Sequence, residues 1–95
     1  MRINIITTQG LHEVECQPGF EMFGFTFVTH IETEATKWGP FTGYAVTELS
    51  TGRRLFGDLD REEAIERAKA YLERKGEAVL KVTIERYEVI NQVEV

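Results

Sequence analysis

Apolar and polar positions alternate with a period of two through most of the chain up to residue 60, where a helical spacing takes over. Residues 3–8 are rich in β-branched types and predict a strand, which Gly10 ends. Residues 11–16 alternate, with His12, Val14 and Cys16 on one face and Leu11, Glu13 and Glu15 on the other. Gln17-Pro18-Gly19-Phe20 then reads as a type II turn, because Pro pre-sets φ at its second position and Gly accepts positive φ at its third. Residues 22–33 carry the strongest pattern. Phe23, Phe25, Phe27 and Ile31 share one face, and Met22, Gly24, Thr26, Val28 and His30 the other. The polar stretch from Glu32 ends in Trp38-Gly39-Pro40, a loop signal. Residues 41–49 predict another strand, and Ser50-Thr51-Gly52 turns it back into Arg53–Phe56 as a second hairpin.

The helical segment opens on Asp60-Arg61-Glu62-Glu63, a capping box with Asp at the N-cap. Ala64, Ile65, Ala68, Tyr71 and Leu72 follow on one stripe, narrow and alanine-rich enough to lie close on a sheet. Glu63 and Arg67 form an i, i+4 pair, cations fill the last turn, and Gly76 stops the helix as a left-handed cap residue. Residues 78–90 then read as a long strand, with Ala78, Leu80, Val82 and Ile84 on one face. Beyond them the apolar phase moves to Tyr87, Val89, Val93 and Val95, which implies a bulge near Glu85 or Arg86, or a tail that pairs elsewhere.

Strands first and a helix after them predict an α+β fold. It is an antiparallel sheet of four to six strands with one helix, at about 60–75, on the Phe23/Phe25/Phe27 face, followed by a long C-terminal strand. The 95 residues suffice for a single domain spanning 1–95. The formal charge of −5 divides into −2 over residues 1–57 (four basic, six acidic) and −3 over the rest (seven basic, ten acidic). Neither half is a basic funnel, so nucleic acid is an unfavoured partner. One cysteine rules out an internal disulfide framework. No membrane span and no signal peptide can be read, so the expected location is the cytoplasm.

Catalytic and metal chemistry find little support in these residues. His12 and Cys16 stand four apart on a strand, about 13 Å at ~3.3 Å per residue, too far to ligate one metal as neighbours. A Cys16–His30 dyad needs a special register between two strands. No phosphate-cradling glycine loop occurs, and Glu62, Glu63, Glu66 and Glu73 form the solvent face of the helix. No cofactor, no metal and no enzymatic activity are expected. His30, Lys37, Trp38, Tyr44, Arg53 and Arg54 lie at strand ends and in turns of the two hairpins and are the candidate binding residues. Thr51-Gly52-Arg53-Arg54 could grip an anion, since arginine forks match phosphate and carboxylate.

The expected function is a self-associating or protein-binding module. One helix leaves one sheet face uncovered, and a homodimer or other homo-oligomer, formed across the sheet or by edge pairing, would cover it. The alternative is a single-stranded nucleic-acid-binding or antitoxin-like regulatory module using the sheet face. The β-β-β-β-α order is similar to that of Pur-type repeats and Whirly proteins in topology alone. Asp60-Arg61-Glu62-Glu63-Ala64-Ile65 resembles the opening of the helix in small HicB-type domains, in wording that helix capping itself imposes.

Overall fold

The computed structural model describes residues 1–7, 9–36 and 39–91, and only the backbone of 33–36 and 39–41. The elements in order are β1 (Arg2–Thr7), β2 (Gly10–Glu15), β3 (Gln17–Met22), β4 (Phe25–Thr36), β5 (Gly39–Glu48), β6 (Arg53–Asp58), α1 (Arg61–Lys75) and α2 (Glu77–Glu85). β3, β4, β5 and β6 form a four-stranded antiparallel sheet in chain order, while β1 and β2 form a separate antiparallel pair. The fold is therefore α+β with antiparallel sheets, as the pattern predicts, but with two sheets and two helices in place of one of each.

The Pro18-Gly19 stretch is not a turn. It lies inside β3, at a bulge between Pro18 and Phe20 in the pairing with β4. Gly19 serves close approach there: a Cβ would stand 2.6 Å from the Phe27 carbonyl oxygen. The reversal falls instead at Phe23-Gly24, between paired Met22 and Phe25, with φ of 56° and 83°. Positive φ at both central residues is the type I′ geometry that matches strand twist. Phe23 is the only non-glycine with positive φ among the described residues, and its side chain packs against the main core. The stretch read as a loop from Glu32 is strand on both sides of the second reversal, where Thr36 pairs with Gly39.

Helix α1 forms where the sequence places it. Asp60 accepts hydrogen bonds from the backbone N–H groups of Glu62 (2.8 Å) and Glu63 (3.2 Å). Glu63 and Arg67 stand 3.9 Å apart. Gly76 ends the helix at φ 86°, ψ 159°, a positive-φ but not left-handed helical residue. Its small stripe buries Ala64, Ala68 and Leu72 against Phe27 and Val46, so the Phe face is the helix side. The expected C-terminal strand over 78–90 is a second helix over Glu77–Glu85. Leu80 and Ile84, one helical turn apart, complete the same core, and this burial overrides the β preference of Val79, Val82, Thr83 and Ile84. The change of apolar phase near Arg86 marks the end of this helix rather than a bulge.

The opposite sheet face is covered from within the chain. Ile3 and Cys16 pack on Val28 and Leu49, with Ile5 and Val14 beside them, so the β1–β2 hairpin forms a second layer. Four hydrogen bonds fix that layer. The Asn4 N–H donates to Asn91 Oδ1 (2.9 Å), while Asn91 Nδ2 donates to the carbonyls of Asn4 and Leu49, each at 2.8 Å. The Ile6 N–H donates to the Gly52 carbonyl at 2.9 Å. The β5–β6 turn that receives them is held by buried Glu48. Its carboxylate accepts from the N–H and hydroxyl of Ser50 (3.2 and 2.5 Å) and of Thr51 (2.8 and 2.7 Å).

Candidate functional site

Of the described candidate binding residues, His30 borders one cavity with Tyr44 and another with Arg53 and Arg54. Lys37 and Trp38 lie outside the described residues. His30 points between the layers and is 5% exposed. Its Nδ1 lies 3.3 Å from the Ile31 carbonyl, which can only accept, and its Nε2 lies 2.8 Å from the Thr47 hydroxyl, which can donate or accept. Arg54 lies on the same face and forks onto Glu32, with Nε–Oε1 at 2.6 Å and Nη2–Oε2 at 3.0 Å. Gly57 leaves room for this pair, since a Cβ there would collide with the Arg54 guanidinium. Arg53 lies over the Tyr87 ring at 4.0 Å from its centroid. Tyr44 pairs in register with Ile31 on the helix side of the sheet. Both arginines are thus engaged within the chain, and the turn Thr51–Arg54 is not an open anion fork.

His12, Val14 and Cys16 share the inward face of the hairpin, as their alternation predicts. Cys16 belongs to the small core, and burial pushes its thiol above the ordinary range. That favours the neutral thiol over a nucleophilic thiolate. Among the described residues no cluster of three His, Cys, Asp or Glu side chains could hold a metal ion. Between the layers a cleft of about 350 Å³ is lined by Val14, Glu15, Gln17, His30, Ile31 and Tyr44. A second cavity shares Val14, His30 and Ile31 with it and adds Ile5, His12 and Glu32.

The mouth of this cleft is set by strand lengths. β4 has 12 residues, but β3 pairs with it only from Phe25 to Thr29. The reason is covalent: β2 ends at Glu15 and β3 begins at Gln17, so the chain turns out of the sheet at Cys16 and leaves the rest of β4 without a neighbouring strand on that side among the described residues. Which backbone groups face the gap follows from the ladders. The Leu49 N–H donates to the Thr26 carbonyl at 2.9 Å, so even-numbered residues of β4 point toward β5. Odd-numbered ones point the other way: Phe25, Phe27 and Thr29 toward β3, then Ile31, Thr33 and Ala35 toward no strand among the described residues.

The hairpin layer is open on the same side. The Cys16 N–H donates to the Met1 carbonyl at 2.7 Å, so Cys16, Val14 and His12 face β1 and the backbone of Leu11, Glu13 and Glu15 faces outward. The other edge of this layer, along β1, is closed by Asn91 and Gly52. Edge β3 is blunted by Pro18, its bulge, and Arg61, whose guanidinium donates to the Pro18 carbonyl and to Thr29 Oγ1. The β4 edge from Ile31 onward carries no proline, bulge or arginine among the described residues; only the Ile31 carbonyl is met by a side chain, His30 Nδ1 at 3.3 Å, and Ile31 itself is 63% exposed. Sequence reasoning missed this edge because only the unequal strand lengths reveal it.

The charges near the mouth are paired. Arg2 meets Glu13 at 2.5 Å, and the N-terminal amine meets Glu15 at 2.8 Å. The hydrogen bond between the last two raises the amine's pKa and lowers that of Glu15. Both groups are fully exposed, so the pair is weak and screened by salt. No helix among the described residues is long and apolar enough to cross a membrane. Compared with known protein families, curated proteins and solved structures, the chain matches none of them.

Proposed function

We propose that the chain is a non-enzymatic protein-binding module that accepts an additional β-strand along the free edge of β4. The observation that carries this reading is that β4 outruns β3 beyond Thr29 while its outward backbone groups meet no strand among the described residues. Strand addition satisfies such groups by main-chain hydrogen bonds and draws specificity from side chains that alternate between two surfaces. Here one surface is the cleft with Val14 and His30, and the other is Ile31 beside Tyr44. The sheet faces themselves support base stacking poorly, since helices cover one and β1–β2 the other.

A displayed library of random heptapeptides tests the reading. Binders should shift backbone resonances at Gly10–Glu15 and His30–Glu32 and lose at least tenfold in affinity with Ile31→Pro. Proline removes the outward N–H but is tolerated on an edge, so the thermal midpoint should move by only a few degrees. Binders that map to the exposed Val79/Val82 face of α2, or that ignore Ile31→Pro, would refute the proposal.

A further inference from the structure

We infer that the strand received at this edge is β4 of a second copy, paired antiparallel about a twofold axis at Thr33. The inference rests on the strand-addition reading and deepens it by naming the partner. Its basis is the self-complementarity of the edge. The outward-facing residues are Ile31, Thr33 and Ala35, evenly spaced about Thr33. An antiparallel copy centred there sets Ile31 opposite Ala35 of the second copy, Thr33 opposite Thr33, and Ala35 opposite Ile31. Outward N–H and C=O groups then meet complements, because odd positions face odd positions, and the Ile31 carbonyl, which His30 Nδ1 contacts at 3.3 Å, has a second lone pair for the purpose. The exposed Ile31 gains a neighbour in the same step.

The layers agree with this axis. A twofold perpendicular to the sheet puts the β1–β2 layers of both copies on the same side, so the outward edges of the two β2 strands also face one another. The helices do not obstruct it, since α1 packs over β3, β5 and β6. The competing register on β2 alone is poor: an axis at Glu13 sets Glu13 against Glu13 and Leu11 against Glu15. At the β4 axis Glu32 stands opposite Glu34 of the second copy and Glu34 opposite Glu32, and in each of these two pairs Arg54 offsets the charge of Glu32.

Site-directed cross-linking with sedimentation tests the inference. Residues opposite each other in a hydrogen-bonded antiparallel pair have Cα atoms about 5.5 Å apart, within disulfide reach. Thr33→Cys should therefore oxidise to a covalent dimer. Ile31→Cys should not, because position 31 lies four residues from its own copy, about 13 Å along the strand. The wild-type chain is the control, since its one thiol, Cys16, is buried. In parallel, the unmodified protein should sediment at twice 10.9 kDa at tens of micromolar, and Ile31→Pro should weaken that association at least tenfold. A single-chain mass at every concentration with no Thr33→Cys cross-link would overturn the second copy as partner. Heptapeptides that still bind the edge would then keep the strand-addition reading alive, and their absence would remove both. Cross-linking by Ile31→Cys as fast as by Thr33→Cys would overturn the register.

Discussion

Replacing Glu48 by alanine is expected to destabilise the fold by about 4 kcal/mol, measured by urea unfolding. The carboxylate is 4% exposed and accepts four hydrogen bonds in the β5–β6 turn. Ser50 is half-buried and can turn its donors to water, but the Thr51 N–H and hydroxyl are buried and would be orphaned, each at about 1–3 kcal/mol. The total stability of a chain this length is on the order of 5–14 kcal/mol, so the loss is a large share of it. Glu48→Gln keeps one acceptor oxygen and turns an NH2 toward donors, so it should cost about half as much. A change under about 1 kcal/mol for Glu48→Ala would show that the turn holds without its carboxylate.

Gly52→Val is expected to cost about 4 kcal/mol by a different route. Gly52 sits at φ 66°, where a β-branched residue is strained by about 1–3 kcal/mol. A Cβ would also stand 2.5 Å from the Asn4 carbonyl oxygen, 2.6 Å from Ile90 Cδ1 and 3.2 Å from Ile5 Cα. Two of these neighbours are backbone, so the hairpin layer must move, and overpacking of this kind costs about 1–3 kcal/mol more. The displacement breaks the Ile6–Gly52 bond and loosens the Asn91 clamp on Asn4. Amide exchange should therefore rise first at Asn4 and Ile6, with α1 little changed. Equal loss of protection in α1 would mean that the two layers unfold as one unit.

Local grammar was the legible part of this fold. Asp60, the alanine stripe and Gly76 bound α1 because capping and spacing act within a few residues. The Phe23/Phe25/Phe27 face is the helix side for the same reason. Elements decided by distant packing were not legible. Helix α2 is written in β-branched residues and forms because Leu80 and Ile84 fill the core that α1 leaves open. Pro18-Gly19 has the residues of a turn, yet Phe23-Gly24 makes it, since the pairing of β3 with β4 places the reversal there. The second sheet face, expected to be bare, is covered by the first hairpin, for which Ile3, Ile5 and Val14 carry the pattern. With that face closed, the case for association moves from the face to the edge. Of the six candidate residues, His30 and Tyr44 do border this edge, while Arg53 and Arg54 serve the chain's own contacts.

Amide hydrogen exchange at β4 tests the central claim most directly. In dilute protein the Ile31 amide should exchange at least about 100-fold faster than those of His30 and Glu32, whose N–H groups face β5, and it should slow as a strand is added at the edge. An Ile31 amide as protected as its two neighbours in the dilute chain would contradict the account, because the edge would already be filled.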